Sequence, residues 1–256
     1  MSASTVRHSA HAWSPAPEAP TLERDVVHVW RAALAAPAPA LWRLRQALAV
    51  DEVRRADRFR FERDRNRFIV ARGLLRTILG RYKNIEPDRV QLRYTVHGKP
   101  ILASTRGELD LRFNTSHSGD LALYAVTLGR EVGVDLEHVR PDFGDSRVAE
   151  RFFAPGEVAA LTRISARGQR DAFFRCWTLK EAYVKARGTG LTIPLNQFDV
   201  SQLLEEPAAV LSVNHECRPG ASRWSLRQLT SAPGYAAALT VEGDSFRLEC
   251  WQAAEP

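Results

Sequence analysis

The spacing of apolar residues changes from a helical period to strand-like alternation, and this change occurs twice along the chain. Helical spacing in the first half is shown by Phe68, Ala71, Leu75, Ile78 and Tyr82, which predicts a core helix. Residues 90–102 then alternate and residues 121–128 are small and apolar, which predicts strands. The second half repeats the order, with helical segments over about 147–187 and strands after them. Helices and strands in such runs predict an α+β fold.

Two segments of the chain resemble each other. Residues 118–136 and 233–250 each contain a glycine turn, a small-residue strand, a charged turn and a second strand. This similarity indicates an internal duplication. Within the first segment, residues 129–139 are predicted to form a hairpin with the strand before them. We therefore predict a flexible tail (1–24), an N-terminal α+β half (25–131) and a C-terminal α+β half (132–256). A crevice between two halves is a natural place for a ligand.

Charge and cysteine content narrow the partners and the compartment. The net charge of +6 favours an anionic partner, which is a nucleic acid, a phosphorylated small molecule or an acidic protein. Cys176, Cys217 and Cys250 are scattered and form neither a disulfide framework nor a metal motif, so we expect a reducing, cytoplasmic setting. No apolar run has the length of a membrane span, and the first residues lack the apolar block of a secretion signal. We therefore expect no membrane association.

The segment GVDLEH is the first candidate site. On a strand, Gly133, Asp135 and Glu137 face the same side. Two carboxylates one strand repeat apart, with no bulk at Gly133, can hold a hard cation such as Mg²⁺. The alternative is a half-exposed strand with an acidic face.

The segment WTLKEAYVKARGTGL is the second candidate site. Only four of the chain's 36 basic residues are lysines, and two of them, Lys180 and Lys185, lie here. Helical spacing puts Glu181 and Lys185 on one face, and the GTG sequence at 188–190 predicts the end of the helix. A lysine is a compact point charge that suits a phosphate. The alternative is an exposed Glu–Lys pair.

Three further segments carry polar or basic side chains. NTSHSGD supplies Ser116 and His117 in a run whose backbone N–H groups suit an anion. HGKP supplies Lys99 in a glycine turn, and residues 51–67 are rich in arginine. The alternatives are a structural histidine, a plain hairpin and a solvated charged helix.

In their order along the chain, HGKP, FNTSHSGD, GVDLEH and WTLKEAYVKARGTGL resemble the motifs of the Sfp-type 4′-phosphopantetheinyl transferases, and RFFAPGE resembles a further segment of that family. The resemblance runs from about residue 50 to 200. It implies transfer of 4′-phosphopantetheine from coenzyme A to a serine of an apo acyl or peptidyl carrier protein, giving the holo carrier and adenosine 3′,5′-bisphosphate. It also implies a pseudo-dimer of two similar halves with the active site between them.

The resemblance further implies roles for single residues. Asp135, Glu137 and Glu181 would bind Mg²⁺, Lys185 would contact the diphosphate during catalysis, and the general base would be either Glu181 or a metal-bound water. The coenzyme A contacts would be Arg55, Arg67, Lys99, Ser116, His117 and Lys185. The role of Lys180 stays open. Two positions depart from the family pattern: Leu136 leaves no third ligand on the strand, and Glu52 stands where a basic residue would contact the 3′-phosphate.

The implied partners are apo carrier proteins of polyketide, nonribosomal peptide or fatty-acid synthases, and a monomer is expected because one chain supplies both halves. Residues 140–170, with Phe143, Phe152 and Phe153, are predicted to dock the carrier, unless Phe152 and Phe153 belong to the core. Two rival functions remain. A basic nucleic-acid-binding module would leave GVDLEH and KEAYVK without a role. An inactive relative that only binds coenzyme A is disfavoured because all three carboxylates are present.

Overall fold

The computed structural model describes residues 12–103, 109–140, 146–190, 193–205, 208–211 and 223–254. The strands are β1 (Ser14–Pro15), β2 (Val26–Ala33), β3 (Leu92–Tyr94), β4 (Pro100–Leu102), β5 (Leu111–Ser118), β6 (Leu121–Leu128), β7 (Val132–His138), β8 (Ala208–Leu211), β9 (Trp224–Gln228), β10 (Tyr235–Glu242) and β11 (Arg247–Gln252). The helices are α1 (Ala38–Gln46), α2 (Val50–Ala56), α3 (Glu62–Lys83), α4 (Ser146–Phe152), α5 (Pro155–Arg163), α6 (Ala166–Arg187) and α7 (Gln202–Glu205).

The strands form two main sheets and one small hairpin. The strand order is β1-β11-β2-β6-β5 in the first sheet and β7-β10-β9-β8 in the second, while β3 pairs with β4. Neighbouring strands are antiparallel except that β11 runs parallel to both β1 and β2. Helices and sheets together confirm the predicted mixed class of fold.

Consecutive strands β6 and β7 belong to different sheets. β6 pairs with β2 and β5, whereas β7 pairs with β10. The chain turns from one sheet to the other at Gly129, whose φ of +69° is a conformation that glycine adopts without steric cost. β10 and β11 make the opposite crossing, from the second sheet to the first. The predicted hairpin over residues 121–139 is therefore wrong, because alternation identifies a strand but not its neighbour.

Helix α3 covers the first sheet and confirms the predicted core helix. Tyr124 of β6 donates a hydrogen bond from its Oη to Ala71 O of α3 at 2.9 Å. Gly73 allows α1 to pack closely, since a Cβ atom there would lie 2.7 Å from Leu44 Cβ. The helix ends at Asn84, which is left-handed with φ +50°.

Helix α6 covers the second sheet in the same way. Phe174, Leu179 and Tyr183 are buried, and they belong to one apolar cluster with Leu226 and Ala238 of β9 and β10. Burial of each large side chain contributes about 1.5–3 kcal/mol. This apolar side holds α6 against the sheet and fixes the direction of its polar side chains.

Part of the predicted flexible tail has defined contacts. β1 lies beside β11, and Trp13 Nε1 donates to Thr230 O at 2.8 Å. Residues 12–24 therefore include a strand that the sequence did not indicate. In the described part of the chain, none of the helices has the length and apolar character needed to cross a bilayer.

Candidate active site

Helix α6 presents two charged side chains to a cavity of about 250 Å³. Glu181 and Lys185 are one helical turn apart, and both line this cavity together with Lys99. The helix ends just after Arg187, because Gly188 is left-handed with φ +65°. The structure thus agrees with the shared face and the helix end that the sequence predicted.

Asp135 of β7 is in direct contact with Lys185. Lys185 Nζ lies 2.5 Å from Asp135 Oδ1 and donates to Ser116 Oγ at 2.9 Å. Asp135 is only 3% exposed, and its buried Oδ2 has no hydrogen-bond partner among the described residues. A buried oxygen without a donor costs about 1–3 kcal/mol. This oxygen is therefore suited to a cation that joins the site.

Burial and mutual repulsion act on the other two carboxylates. Burial raises the pKa of Glu181, and the negative charge of Asp135 raises it further. Burial and Asp135 likewise raise the pKa of Glu137, although Ser118 Oγ donates to its Oε2 at 2.9 Å. The three carboxylates therefore repel one another, and a cation would relieve that repulsion.

The fit of these residues to Mg²⁺ rests on their chemistry. The described residues contain no group of three or more His, Cys, Asp or Glu side chains arranged to hold a metal ion, and the ammonium of Lys185 is the cation beside Asp135. Carboxylate oxygens are nevertheless the ligands that Mg²⁺ prefers. Because Asp135 Oδ2 is buried without a donor, the residues present fit the ion. Binding by Asp135, Glu137 and Glu181 stays a prediction.

Gly133 lets α6 approach β7. A Cβ atom at this position would lie 2.0 Å from Ala182 O and 2.4 Å from Ala186 N, far inside contact distance. The interpretation that Gly133 leaves room beside the carboxylates is therefore replaced: it leaves room for the helix backbone. This close approach brings Lys185 to Asp135.

Lys99 ties the HGKP turn to the same two elements. Its Nζ donates to Ala186 O of α6 at 3.2 Å and to Val132 O of β7 at 3.4 Å, and it lies 3.2 Å from Glu131 Oε2. Burial lowers the pKa of Lys99, while Glu131 opposes that effect. Lys99 thus lines the cavity and also binds the last turn of α6. Its predicted contact with coenzyme A is not tested by these bonds.

A second cavity of about 170 Å³ adjoins the first, and the two share Gly98, Pro100 and Thr115. Arg55, Ser116 and His117 line it, which brings together three of the predicted ligand-binding residues. Burial lowers the pKa of His117, and the nearby charges of Lys185, Arg55, Arg67 and Arg72 lower it further. Such a concentration of positive charge suits an anionic ligand.

The second cavity is also lined by residues that the sequence did not indicate as part of a site. Among them are Arg72, Tyr94 and Tyr124. Arg72 follows Phe68 by one helical turn, so the spacing that predicted α3 also placed it on the cavity side. Tyr94 and Tyr124 lie on strands, and no local pattern indicated that they meet α3.

Arg67 lines neither of these two cavities. It forms an ion pair with Asp120 in the β5–β6 turn. Its positive charge also lowers the pKa of His117. Its predicted contact with coenzyme A stays a prediction.

Lys180 is a structural residue. It is completely buried, its Nζ lies 2.5 Å from Glu157 Oε1, and it donates to Phe198 O at 2.7 Å. Glu157 in turn accepts from Ala154 N and Val200 N. The lysine whose role the sequence left open therefore joins α6, α5 and the segment after Pro194.

Glu52 is also structural. Its Oε2 accepts hydrogen bonds from Ala49 N at 3.0 Å and from Arg76 Nε at 2.5 Å, and its Oε1 lies 3.2 Å from Arg72 Nε. The side chain is buried, with 2% exposure. This acid stabilises the start of α2 and pairs with α3, which accounts for its departure from a basic family position.

Comparisons with known proteins identify the family of the chain. Residues 131–240 match the family model of the 4′-phosphopantetheinyl transferase superfamily, and residues 36–128 match that of the 4′-phosphopantetheinyl transferase N-terminal region. The 4′-phosphopantetheinyl transferase HetI of Nostoc sp. is 40% identical over 241 residues, which cover 94% of this chain and 98% of that relative. This chain belongs to the 4′-phosphopantetheinyl transferase family. The 4′-phosphopantetheinyl transferase Sfp of Bacillus subtilis is 29% identical over 56% of this transferase and 61% of the Sfp chain. Together with the two family models and HetI, this match confirms the predicted Sfp type.

The match to a solved structure of Thermotoga maritima holo-[acyl-carrier-protein] synthase spans 44% of this transferase and 63% of the synthase chain, with 21% identity and a TM-score of 0.30. Within the transferase, the superfamily model spans Asp135, Glu137, Glu181 and Lys185, and the N-terminal model spans Arg55, Lys99 and His117. Both family segments thus contribute side chains to the pair of cavities.

Proposed function

We propose that this chain transfers 4′-phosphopantetheine from coenzyme A to a serine of an apo carrier protein at the two adjoining cavities. The observation that carries this assignment is the contact between Lys185 of α6 and Asp135 of β7 at the edge of a cavity that Glu181 lines. The family membership supplies the reaction, and this contact supports the two cavities as the proposed place for it.

Coenzyme A would span both cavities. Its phosphates would be attracted to the second cavity by the charge of Arg55, and His117 would donate a hydrogen bond to them. Lys185 would meet the diphosphate where the cavities adjoin. Lys99 at the rim of the first cavity would add charge, while its bonds to Ala186 O and Val132 O hold it in place. Arg67 would add its positive charge beside His117, and its predicted contact with coenzyme A belongs to this proposal.

Asp135, Glu137 and Glu181 would hold Mg²⁺. When bound, the ion neutralises charge that develops on the diphosphate as the P–O bond breaks. Asp135 Oδ2 is the oxygen left without a donor, and Ser118 fixes one oxygen of Glu137. Mg²⁺ dependence is part of this proposal.

In the reaction, the carrier serine oxygen would bond to the β-phosphorus of coenzyme A, the diphosphate P–O bond would break, and adenosine 3′,5′-bisphosphate would leave with the bonding electrons. The serine proton needs an acceptor. Glu181 lines the cavity, and burial raises its pKa, which makes it a stronger base than an exposed carboxylate. A carboxylate that binds Mg²⁺ is a poor base, so metal binding and proton acceptance are alternative roles for Glu181. Lys185 would stabilise the leaving diphosphate oxygen.

Two similar halves would form this site as a pseudo-dimer. Support comes from the order β2-β6-β5 in one sheet and β7-β10-β9 in the other, each covered by a helix of 22 residues, α3 or α6. The matched family segments, 36–128 and 131–240, meet near the predicted boundary at 131/132. Because one chain supplies both sides of the cavities, we propose that it acts as a monomer.

The acceptor would be an acidic carrier protein of a polyketide, nonribosomal peptide or fatty-acid synthase. The net charge of +6 favours encounter with such a partner. Within the predicted docking region, 140–170, Phe152 is 39% exposed and Phe153 is buried, so the core alternative applies to Phe153. Phe143 lies outside the described residues.

The test is to incubate the protein with coenzyme A, Mg²⁺ and an apo carrier, and to follow the carrier by mass spectrometry. The expected result is a mass increase of one phosphopantetheinyl group, lost with EDTA and absent in a carrier whose serine is replaced by alanine. Asp135→Ala and Glu181→Ala are expected to abolish transfer with an unchanged circular dichroism spectrum. An unmodified carrier in the complete mixture would contradict the proposal.

A further inference from the structure

The two sheets meet at their edge strands, β5 and β7. β5 ends the first sheet and β7 begins the second, so on one side of each strand the backbone has no partner strand in its own sheet among the described residues. Unpaired N–H groups at such an edge need other acceptors. Alternate N–H groups of β7 point away from β10, and these face β5.

Side chains of β5 supply those acceptors. Each accepting residue of β5 lies 20 positions before the residue of β7 whose N–H it binds. Because this offset is constant, β5 and β7 run side by side and parallel. The hydrogen bonds are Val134 N to Asn114 Oδ1 at 2.9 Å, Leu136 N to Ser116 Oγ at 3.2 Å and His138 N to Ser118 Oγ at 3.0 Å. We call Asn114, Ser116 and Ser118 the side-chain ladder. Their spacing of two follows from the strand period.

The two serines of the ladder also hold the carboxylates of β7. Ser116 Oγ donates to Asp135 Oδ1 at 2.9 Å, and Ser118 Oγ donates to Glu137 Oε2 at 2.9 Å. Each serine thus fixes one carboxylate and the backbone N–H that follows it. Asn114 accepts a backbone N–H in the same way, but it holds neither carboxylate.

The hydroxyl of Ser116 is fully used. It donates its single proton to Asp135, and it accepts from Leu136 N and from Lys185 Nζ. A hydroxyl has one proton and two lone pairs, so a further ligand would have to displace one of these partners. Ser116 is 7% exposed, which leaves little room for such a ligand. One oxygen of Asp135 is thereby fixed, and Oδ2 is left for another partner.

We propose that Ser116 and Ser118 are positioning residues, which hold Asp135 and Glu137 in the orientation that a divalent cation needs. The inference rests on the proposed function for the cation itself. It differs from a purely structural seam between sheets, because a seam would need Asn114 as much as Ser116. Partners that orient metal-binding carboxylates usually change metal affinity about 10–100-fold when they are removed.

The experiment measures Mn²⁺ binding by calorimetry or electron paramagnetic resonance in the presence of coenzyme A, together with amide hydrogen exchange. Ser116→Ala is expected to weaken Mn²⁺ binding about 10–100-fold and to speed exchange of the Leu136 amide. Asn114→Ala is expected to speed exchange at Val134 and to change Mn²⁺ affinity less than about threefold. Ser225→Ala removes a buried serine of β9 that donates to Gly243 O, and it should alter neither readout.

Wild-type Mn²⁺ affinity in Ser116→Ala would overturn the positioning role while leaving the proposed function intact. Equal losses in Asn114→Ala and Ser116→Ala would also overturn it, because both then act only as a seam. A wild-type protein that binds no Mn²⁺ would instead contradict the metal part of the proposed function, and the positioning role with it. Should Ser116→Ala fail to fold, Ser118→Ala, at a less buried position, makes the same test for Glu137.

Discussion

Lys185 Nζ lies 2.5 Å from Asp135 Oδ1, so the last turn of α6 is tied to β7 at the rim of the first cavity. Lys185→Met keeps the length of the side chain and removes the charge. We expect kcat to fall about 100-fold or more, because a cation aimed at developing charge is worth that much in other enzymes. Arg187→Met, two positions further on the same helix, is the control and should stay within about threefold. Equal kinetics in the two variants would remove Lys185 from the reaction.

Gly133→Ala is expected to destabilise the protein by about 1–3 kcal/mol and to reduce transfer, because the new Cβ forces α6 away from β7. Gly168→Ala makes the same substitution on α6, where the nearest atom is the Ile164 Cγ2 methyl at 3.0 Å rather than backbone, and its effect should be close to neutral. Urea unfolding and transfer rates are the measurements. If Gly133→Ala and Gly168→Ala had the same stability and the same transfer rate, the close approach of α6 to β7 at Gly133 would have no consequence.

Lys180→Met should destabilise the fold by about 3–5 kcal/mol, since it leaves Glu157 buried without its charged partner. The double variant Lys180→Met/Glu157→Gln removes that charge and should recover part of the loss. In folded protein, the KM for coenzyme A should be unchanged in both. A normal unfolding curve combined with a raised KM would show instead that Lys180 contacts the substrate.

Stability should fall in mild acid because of His28. Trp30 Nε1 donates to Tyr82 Oη at 2.8 Å, and Tyr82 Oη can then donate to His28 Nδ1 at 2.7 Å, which favours the neutral ring. Burial lowers the pKa of His28 in the folded protein, while Glu249 opposes that effect. As the pH falls, His28 therefore binds a proton in the unfolded chain before it does so in the folded protein. The contribution of neutral His28 to the free energy of unfolding is complete above about pH 6.5 and is lost as the pH falls through the folded-state pKa.

The measurement is the free energy of unfolding of wild type and His28→Gln between pH 7.5 and about 5. The difference between the two should shrink towards acid pH, by at most about 1.4 kcal/mol per pH unit. A constant difference over this range would exclude His28 as the source of the acid sensitivity.

The KM for the carrier should rise with salt while kcat changes little, because opposite charge mainly accelerates encounter. Phe152→Ala is expected to raise that KM, since its exposed ring in the 140–170 region would add apolar contact. Trp42→Ala, which removes an exposed aromatic ring of α1, is the matched control. If carrier kinetics ignore both salt and Phe152→Ala, the docking region lies elsewhere.

Local chemistry made some of the site predictable from the sequence. Helical spacing placed Glu181 and Lys185 on one face, and the glycine at 188 gave the end of their helix. Both features depend on neighbours within two turns, so a pattern in the sequence records them. The class of fold followed from the same periodicities.

Long-range contacts were not predictable in this way. Lys180 and Lys185 look alike in the motif, yet Lys180 is directed into the core by Glu157, which lies on another helix. Asn114 and Ser118 gave no signal of their own, because the N–H groups they accept belong to a strand of the other sheet. The hairpin over 121–139 failed for the same reason: the partner of β7 is more than 90 positions away in β10.

The parallel pairing of β11 with β2 has a consequence for biosynthesis. Val26 of β2 lies opposite Arg247 of β11, so the first sheet cannot be completed until residues 247–252 have left the ribosome. Until then, one edge of β2, a strand of buried valines and a tryptophan, is exposed to other nascent chains. Contacts of such sequence separation also slow folding. Synthesis at reduced temperature or with added chaperone should therefore raise the yield of active enzyme more than it changes the stability of the finished protein.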